Sequence, residues 1–221
     1  MSFHSTGQTD NKIGDGMIVK VAGSLLLTAG ILFFLLNTVA EGLYPNYSVA
    51  SNYLSDLGAL GANTSLLWNG MLFIVGLLFA ISMYLLFFRD TPFRKRAGHG
   101  RTTQNLTGVL YILPGIGSII VSLFQENSVL GAAGLHDLGA LIAFLFGGIA
   151  AIYTAKFTKF PFRYFSVLLG LLDLVFIPVY FISSASIVGL TERLIVYPFI
   201  IWGIAFGSYL IGSPYFDKSV L

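Results

Sequence analysis

The chain reads as an all-α integral membrane protein, a bundle of six transmembrane helices with both termini cytoplasmic. Three observations predict this. Apolar residues make up 56% of the 221-residue chain and charged residues only 10%, with a mean hydropathy of +0.83. A soluble domain carries about 25% charge, so too few ionised groups remain here to cover a surface facing water. Six apolar runs follow one another along the chain, and its Lys and Arg residues fall into alternate connections between them.

The runs are 17–40, 66–88, 105–123, 134–155, 164–181 and 193–212, flanked by tails at 1–16 and 213–221. Each is long enough to cross about 30 Å of hydrocarbon at about 1.5 Å per residue. They are apolar on all sides, whereas barrel strands would alternate over about ten residues, so helices are expected. The first run is longer than the apolar core of a signal peptide and is read as an uncleaved helix. Lys12, Lys20, Arg89, Arg94, Lys95, Arg96, Arg101, Lys156, Lys159, Arg163 and Lys218 all fall on one side of a six-span chain, and only Arg193 on the other. Cytoplasmic loops hold the excess of Lys and Arg. Dropping or adding one span would scatter these charges, so count and orientation support each other. The expected location is the cell (plasma) membrane.

Small residues prepare the helices for close approach. Gly203 and Gly207 form a GxxxG pair, and Gly23 with Gly30 and Gly108 with Gly115 repeat at seven-residue spacing. Packing within one bundle is the simpler reading of these stripes, and an oligomer through a face such as Gly203 and Gly207 is the other. Pro114 and Pro178 are expected to kink their helices.

The longest outer connection, 41–65, is too long for a plain link. Val49, Tyr53, Leu54, Leu57 and Leu60 are spaced as one face of a helix, with Asn52, Ser55 and Asp56 opposite. A short amphipathic helix lying at the interface is expected. Ser55-Asp56-Leu57-Gly58-Ala59-Leu60 is echoed by His136-Asp137-Leu138-Gly139-Ala140-Leu141, which raises a duplicated two-helix unit or chance.

Composition also excludes chemistry. No cysteine is present, so disulfides, thiolate-bound metals and a cysteine nucleophile are ruled out. There is no phosphate-binding glycine loop, because Gly115-Ile116-Gly117 lies inside an apolar run. The net charge of +2 with dispersed basic residues gives no nucleic-acid stripe.

The informative polar residues are those away from the cytoplasmic side: Glu41, Asn52, Ser55, Asp56, Asn69, Gln125, Glu126, His136, Asp137, Glu192 and Arg193. Asp173 sits near the middle of the fifth run, where an ionisable group is costly and faces protein, water or a ligand. It is either functional or a buried structural acceptor for Tyr111, Ser122 or Arg193. His136 is the sole outer histidine, which excludes a three-histidine zinc site. A divalent cation held by oxygen ligands stays open, with Asp56, Glu126, His136, Asp137 and Asp173 as the residues that could supply ligands. Ser55, His136 and Asp137 or Asp173 supply the residue types of a nucleophile, base and orienting acid, although no G-x-S-x-G elbow is present. Caps on helix N-termini account for the two Asp residues just as well.

Three functional readings follow. In the first, a pocket at the extracytoplasmic end binds or processes a membrane lipid or amphiphile. His136, Asp137, Ser55 and Asp56 are then the catalytic candidates, and Asn52, Asn69, Glu126, Asp173 and Arg193 the ligand-binding ones. Such an enzyme would be a membrane-embedded lipid hydrolase or transferase. In the second, a proton- or cation-coupled transporter uses Asp173. In the third, the chain is a non-catalytic subunit of a membrane complex.

Tyr44-Pro45-Asn46-Tyr47-Ser48, then Asn52-Tyr53-Leu54-Ser55-Asp56-Leu57-Gly58, then Asn69-Gly70, with His136, Phe144 and Gly147 further on, resembles the family of six-helix membrane proteins known as domain of unknown function 998. The resemblance implies the six-span fold and brings no established activity. A remoter likeness runs to eukaryotic factors that remodel GPI anchors, whose first outer loop also carries a Ser-Asp and glycine pattern. It implies lipid handling near the outer leaflet.

Overall fold

The computed structural model describes residues 6–212. His4, Lys218 and the C-terminal tail lie outside the described residues. Helix α1 spans Thr6–Leu43, α2 Ser65–Phe88, α3 Pro92–Arg96, α4 Arg101–Leu123, α5 His136–Thr154, α6 Phe162–Phe181 and α7 Val188–Gly212. A 3-10 turn at Ser55–Gly58 and a π turn at Gly131–Leu135 complete the order. Six helices are long and apolar enough to cross a membrane, which makes the chain a multi-pass membrane protein.

Helix ends depart from the apolar runs in a consistent way. The N-terminal stretch expected as a tail is helical from Thr6, α4 begins at Arg101, and α7 begins at Val188 rather than 193. Apolar residues mark the hydrocarbon and not the backbone ladder, so polar first turns are missed. Helix α3 was not expected. Thr91 caps it by accepting from the Arg94 N–H at 3.2 Å, Pro92 occupies its first turn, and Phe93 is buried against Phe87, Phe157 and Phe206.

Consecutive spans pack side by side, α1 on α2, α2 on α4, α4 on α5, α5 on α6 and α6 on α7, and α7 closes against α1. Glycines set the spacing of four of these contacts. A Cβ on Gly23 would lie 2.8 Å from the Gly207 carbonyl, one on Gly76 2.7 Å from that of Gly115, one on Gly117 2.5 Å from that of Gly139, and one on Gly170 2.6 Å from that of Gly148. Both Gly203 and Gly207 are buried inside the bundle. A Cβ on Gly207 would lie 2.6 Å from the Gly23 carbonyl, so this glycine serves packing within the bundle, whereas one on Gly203 would meet nothing within 4 Å. The core is aromatic, with Phe79, Phe199, Trp202 and Phe206 in sequence along one side. Trp202 Nε1 donates to Ser166 Oγ at 2.8 Å, and that hydroxyl donates to the Ala151 carbonyl at 2.6 Å. Helices α4, α6 and α7 run unbroken through Pro114, Pro178 and Pro198.

The expected interfacial helix is not formed. Residues 44–64 are loop and turn apart from the 3-10 turn. Leu54 and Leu57 are buried, while Val49 and Leu60 are exposed, so the apolar residues do not share one face. Side chains from elsewhere fix this loop's backbone groups, and a helix is not needed to satisfy them.

Candidate functional site

The first loop is built around two polar clusters. In one, Asn52 accepts from the Ser48 N–H at 3.0 Å and donates to Asp56 Oδ2 at 2.9 Å. The same carboxylate oxygen accepts from the Tyr53 N–H at 3.0 Å. Asn69, from α2, donates to the Gly58 carbonyl at 2.8 Å. Asn52, Asp56 and Asn69, expected at a ligand or a reaction, thus hold the loop together.

The other cluster centres on Arg193. Its Nη2 donates to Glu41 Oε1 at 2.6 Å and to the Tyr47 hydroxyl at 2.7 Å, and its Nη1 to the carbonyls of Gly189, Val49 and Asn52 at 2.8, 3.0 and 3.3 Å. Tyr47 in turn donates to the Tyr53 carbonyl at 2.9 Å. Burial pushes the Tyr47 phenol above the usual tyrosine range, against the opposing pull of Arg193. Arg193, expected to bind a ligand, ties α7 to the first loop and to the end of α1. Its side chain is 5% exposed.

A cavity of about 380 Å³ opens beside this framework, between the adjoining ends of α5, α6 and α7. Its polar wall is Ser55, Glu126, His136, Asp137 and Glu192, and its apolar wall includes Leu141, Phe144, Ile177, Phe181 and Ile195. Phe181 is 76% exposed and Leu141 47% exposed, so the rim on that side is apolar and open. A second, narrower cavity of about 50 Å³ runs inward among Phe33, Trp68, Leu72, Val75 and Phe199. Ser55, His136, Ala140, Phe144 and Glu192 line both.

Local structure explains how the polar wall is assembled. Asn127 accepts from the Leu60 N–H at 2.6 Å and donates to the Leu60 carbonyl at 3.1 Å, fastening the α4–α5 connection to the first loop. This sets Glu126 where its Oε2 accepts from Ser55 Oγ at 2.8 Å. The π turn then reverses the chain at Gly134, whose φ of 98° lies in the left-handed region that glycine adopts without strain. His136 follows, with its Nδ1 2.9 Å from the Phe124 carbonyl. A carbonyl only accepts, so Nδ1 carries a proton, and in the singly protonated ring the lone pair is then on Nε2. Glu192 accepts from the Leu54 N–H at 2.5 Å. It neighbours Arg193 in sequence, and about 100° of helical rotation separates the two. Glu192 therefore reaches the cavity and Leu54, while Arg193 reaches Val49, Asn52 and Glu41 on another side of the helix.

Ser55, Glu126, His136 and Asp137, all expected at a site, are brought to one cavity. Ser55 gives its proton to Glu126 and not to His136. Asp173 lies elsewhere. It is fully buried on α6, one turn further in than Ile177, and neither carboxyl oxygen has a hydrogen-bond partner among the described residues. Tyr111, one expected partner, pairs with Thr154 at 2.8 Å. Ser122 donates to the Ile119 carbonyl, and Arg193 is engaged as above. The echo of the Ser55 segment at His136 is not structural, because one copy is a 3-10 turn and the other a helix. Glu192 and Tyr180 were missed as site residues. The early start of α7 hid Glu192, although the apolar Ile187-Val188-Gly189-Leu190 just before it signalled a helix already under way.

Among the described residues, no three His, Asp or Glu side chains converge to hold a metal ion. No curated protein and no solved structure matches the chain. The profile of one family matches residues 27–209, most of the sequence and all the elements that build the cavity. The chain belongs to that family, described as a protein of unknown function (DUF998).

Proposed function

We propose that the protein binds an amphiphile, with the head group at Ser55, Glu126, His136, Asp137 and Glu192 and the chain along the apolar wall toward the inner cavity. The observation that supports this is the cavity itself. It is polar at one end and apolar along its length, its rim carries exposed Leu141 and Phe181, and its volume of about 380 Å³ lies within the range of small-molecule sites. The Lys and Arg distribution supports an orientation with the acidic mouth outside the cytoplasm, and the bundle would then sit in the cell membrane. Catalysis would fall to His136 Nε2, the acceptor left after Nδ1 is held by Phe124.

The test uses Ala140, which lines both cavities. Native mass spectrometry of protein purified in mild detergent should detect a retained amphiphile, and Ala140→Trp should release it. An empty wild-type protein, or equal retention by the variant, overturns the reading. A second reading, a proton or cation pathway through Asp173, is favoured by one observation, the complete burial of that carboxyl without a partner. Flux into proteoliposomes that Asp173→Asn leaves unchanged would remove it.

A further inference from the structure

We infer that the head group taken by this cavity is positively charged, an ammonium on a long-chain amine or an amine-headed lipid. The inference rests on the amphiphile reading and specifies its chemistry. Two independent features carry it.

The first is charge. Glu126 and Asp137 bring two carboxylates to the lining, Glu192 adds a carboxyl already engaged by the Leu54 N–H, and no Lys or Arg is among the lining residues. The one basic residue at this end, Arg193, has both Nη atoms engaged by Glu41, Tyr47 and three backbone carbonyls. A phosphate or carboxylate head would meet carboxylates with no cation to offset them, and like charges brought together exclude a ligand strongly.

The second is hydrogen-bond polarity. His136 is only 7% exposed, its Nδ1 proton is committed to the Phe124 carbonyl, and its Nε2 has no protein partner among the described residues while the residue lines both cavities. Ser55 has given its proton to Glu126 and so presents lone pairs. The polar wall is therefore a set of acceptors, and the ligand must bring the donors. A primary ammonium brings three N–H groups and the complementary charge. Tyr180 and Phe144 add aromatic faces suited to a cation. A bare metal ion is a poorer fit, because the acidic groups do not converge into a cage among the described residues.

The experiment uses the full chain in a neutral sugar detergent. Three bromine-tipped alkyl amphiphiles of equal chain length are added, bearing an ammonium, a phosphate or an uncharged sugar head. Bromine quenches the fluorescence of Trp68, which lines the inner cavity, and Trp68→Phe gives the Trp202 background. The ammonium form should half-quench at a concentration about tenfold below the other two. Glu126→Gln with Asp137→Asn should abolish that preference, and Asp90→Asn, an exposed acid paired with Lys95 at the opposite end, should keep it. Equal quenching by all three heads overturns the charge assignment and leaves the amphiphile reading intact. Quenching by none overturns the amphiphile reading itself. A preference that survives in the double variant overturns the assignment to these residues.

Discussion

Replacing Arg193 with methionine removes five hydrogen bonds, one of them also an ion pair, while keeping an apolar chain of similar length. Arg193 is 5% exposed and its partner Glu41 19%, so the carboxylate left behind has little water to turn to. Asn37 still donates to it at 3.0 Å, but no cation does. Removing one member of a buried pair costs about 3–5 kcal/mol. For a chain of this size each kcal/mol moves the midpoint by about 2–4 °C, which gives a fall of about 6–20 °C. Thermal unfolding in detergent, followed by tryptophan fluorescence, measures it. Adding Glu41→Gln should recover part of the loss, because the orphaned charge is then gone. Arg193→Lys should fall between, since an ammonium cannot span the fork that joins Glu41 and Tyr47 to the carbonyls. A shift of less than about 2 °C for Arg193→Met would refute the view that this side chain holds the first loop.

Asp173→Leu should raise stability by about 1–3 kcal/mol, because it replaces an unpartnered buried carboxyl with an apolar group. A lower midpoint in the same assay would mean that Asp173 has a structural partner. Gly148→Val should cost about 1–3 kcal/mol by forcing α5 away from Leu174 and Gly170, whereas Gly42→Ala, where a Cβ meets nothing, should be near neutral. Equal midpoints for the two would contradict the close approach. Tyr47 keeps its proton in the fold to a pH above the ordinary tyrosine range, while the unfolded chain releases it near pH 10. The unfolded state then binds fewer protons, so stability falls as pH rises past about 10. Tyr47→Phe should flatten that limb of the profile, and an unchanged slope would count against the buried phenol.

Legibility in the sequence followed the physics of the solvent. The spans could be read because hydrocarbon imposes one demand, apolar length, on about twenty consecutive residues. Their first turns could not, since Arg101 and Glu192 extend helices without being apolar. The first loop misled for a related reason. Leu54 and Leu57 are spaced as a helical face, but they are buried against the bundle while Glu192, Asn127 and Arg193 satisfy the loop backbone from outside. Such long-range donors and acceptors leave no local pattern. His136, Glu126, Asp137 and Ser55 were expected together at one end of the bundle from the alternation of charged connections, and they line one cavity. The fate of Arg193 and Asp56 depended on which neighbour each could reach, and that is settled by tertiary packing alone.

Helix α6 touches α5 most closely where Gly148 meets Gly170 and Ser166 reaches Ala151, while the cavity separates them nearer Ile177. Its spanning segment is also the least covered of the six, at 22% buried. The space between the two helices is thus a wedge, shut at the glycines where one backbone rests on the other and widest beside Phe144 and Ile177. A larger residue at Gly148 or Gly170 would therefore open the shut end and change the shape of the cavity without touching any residue that lines it.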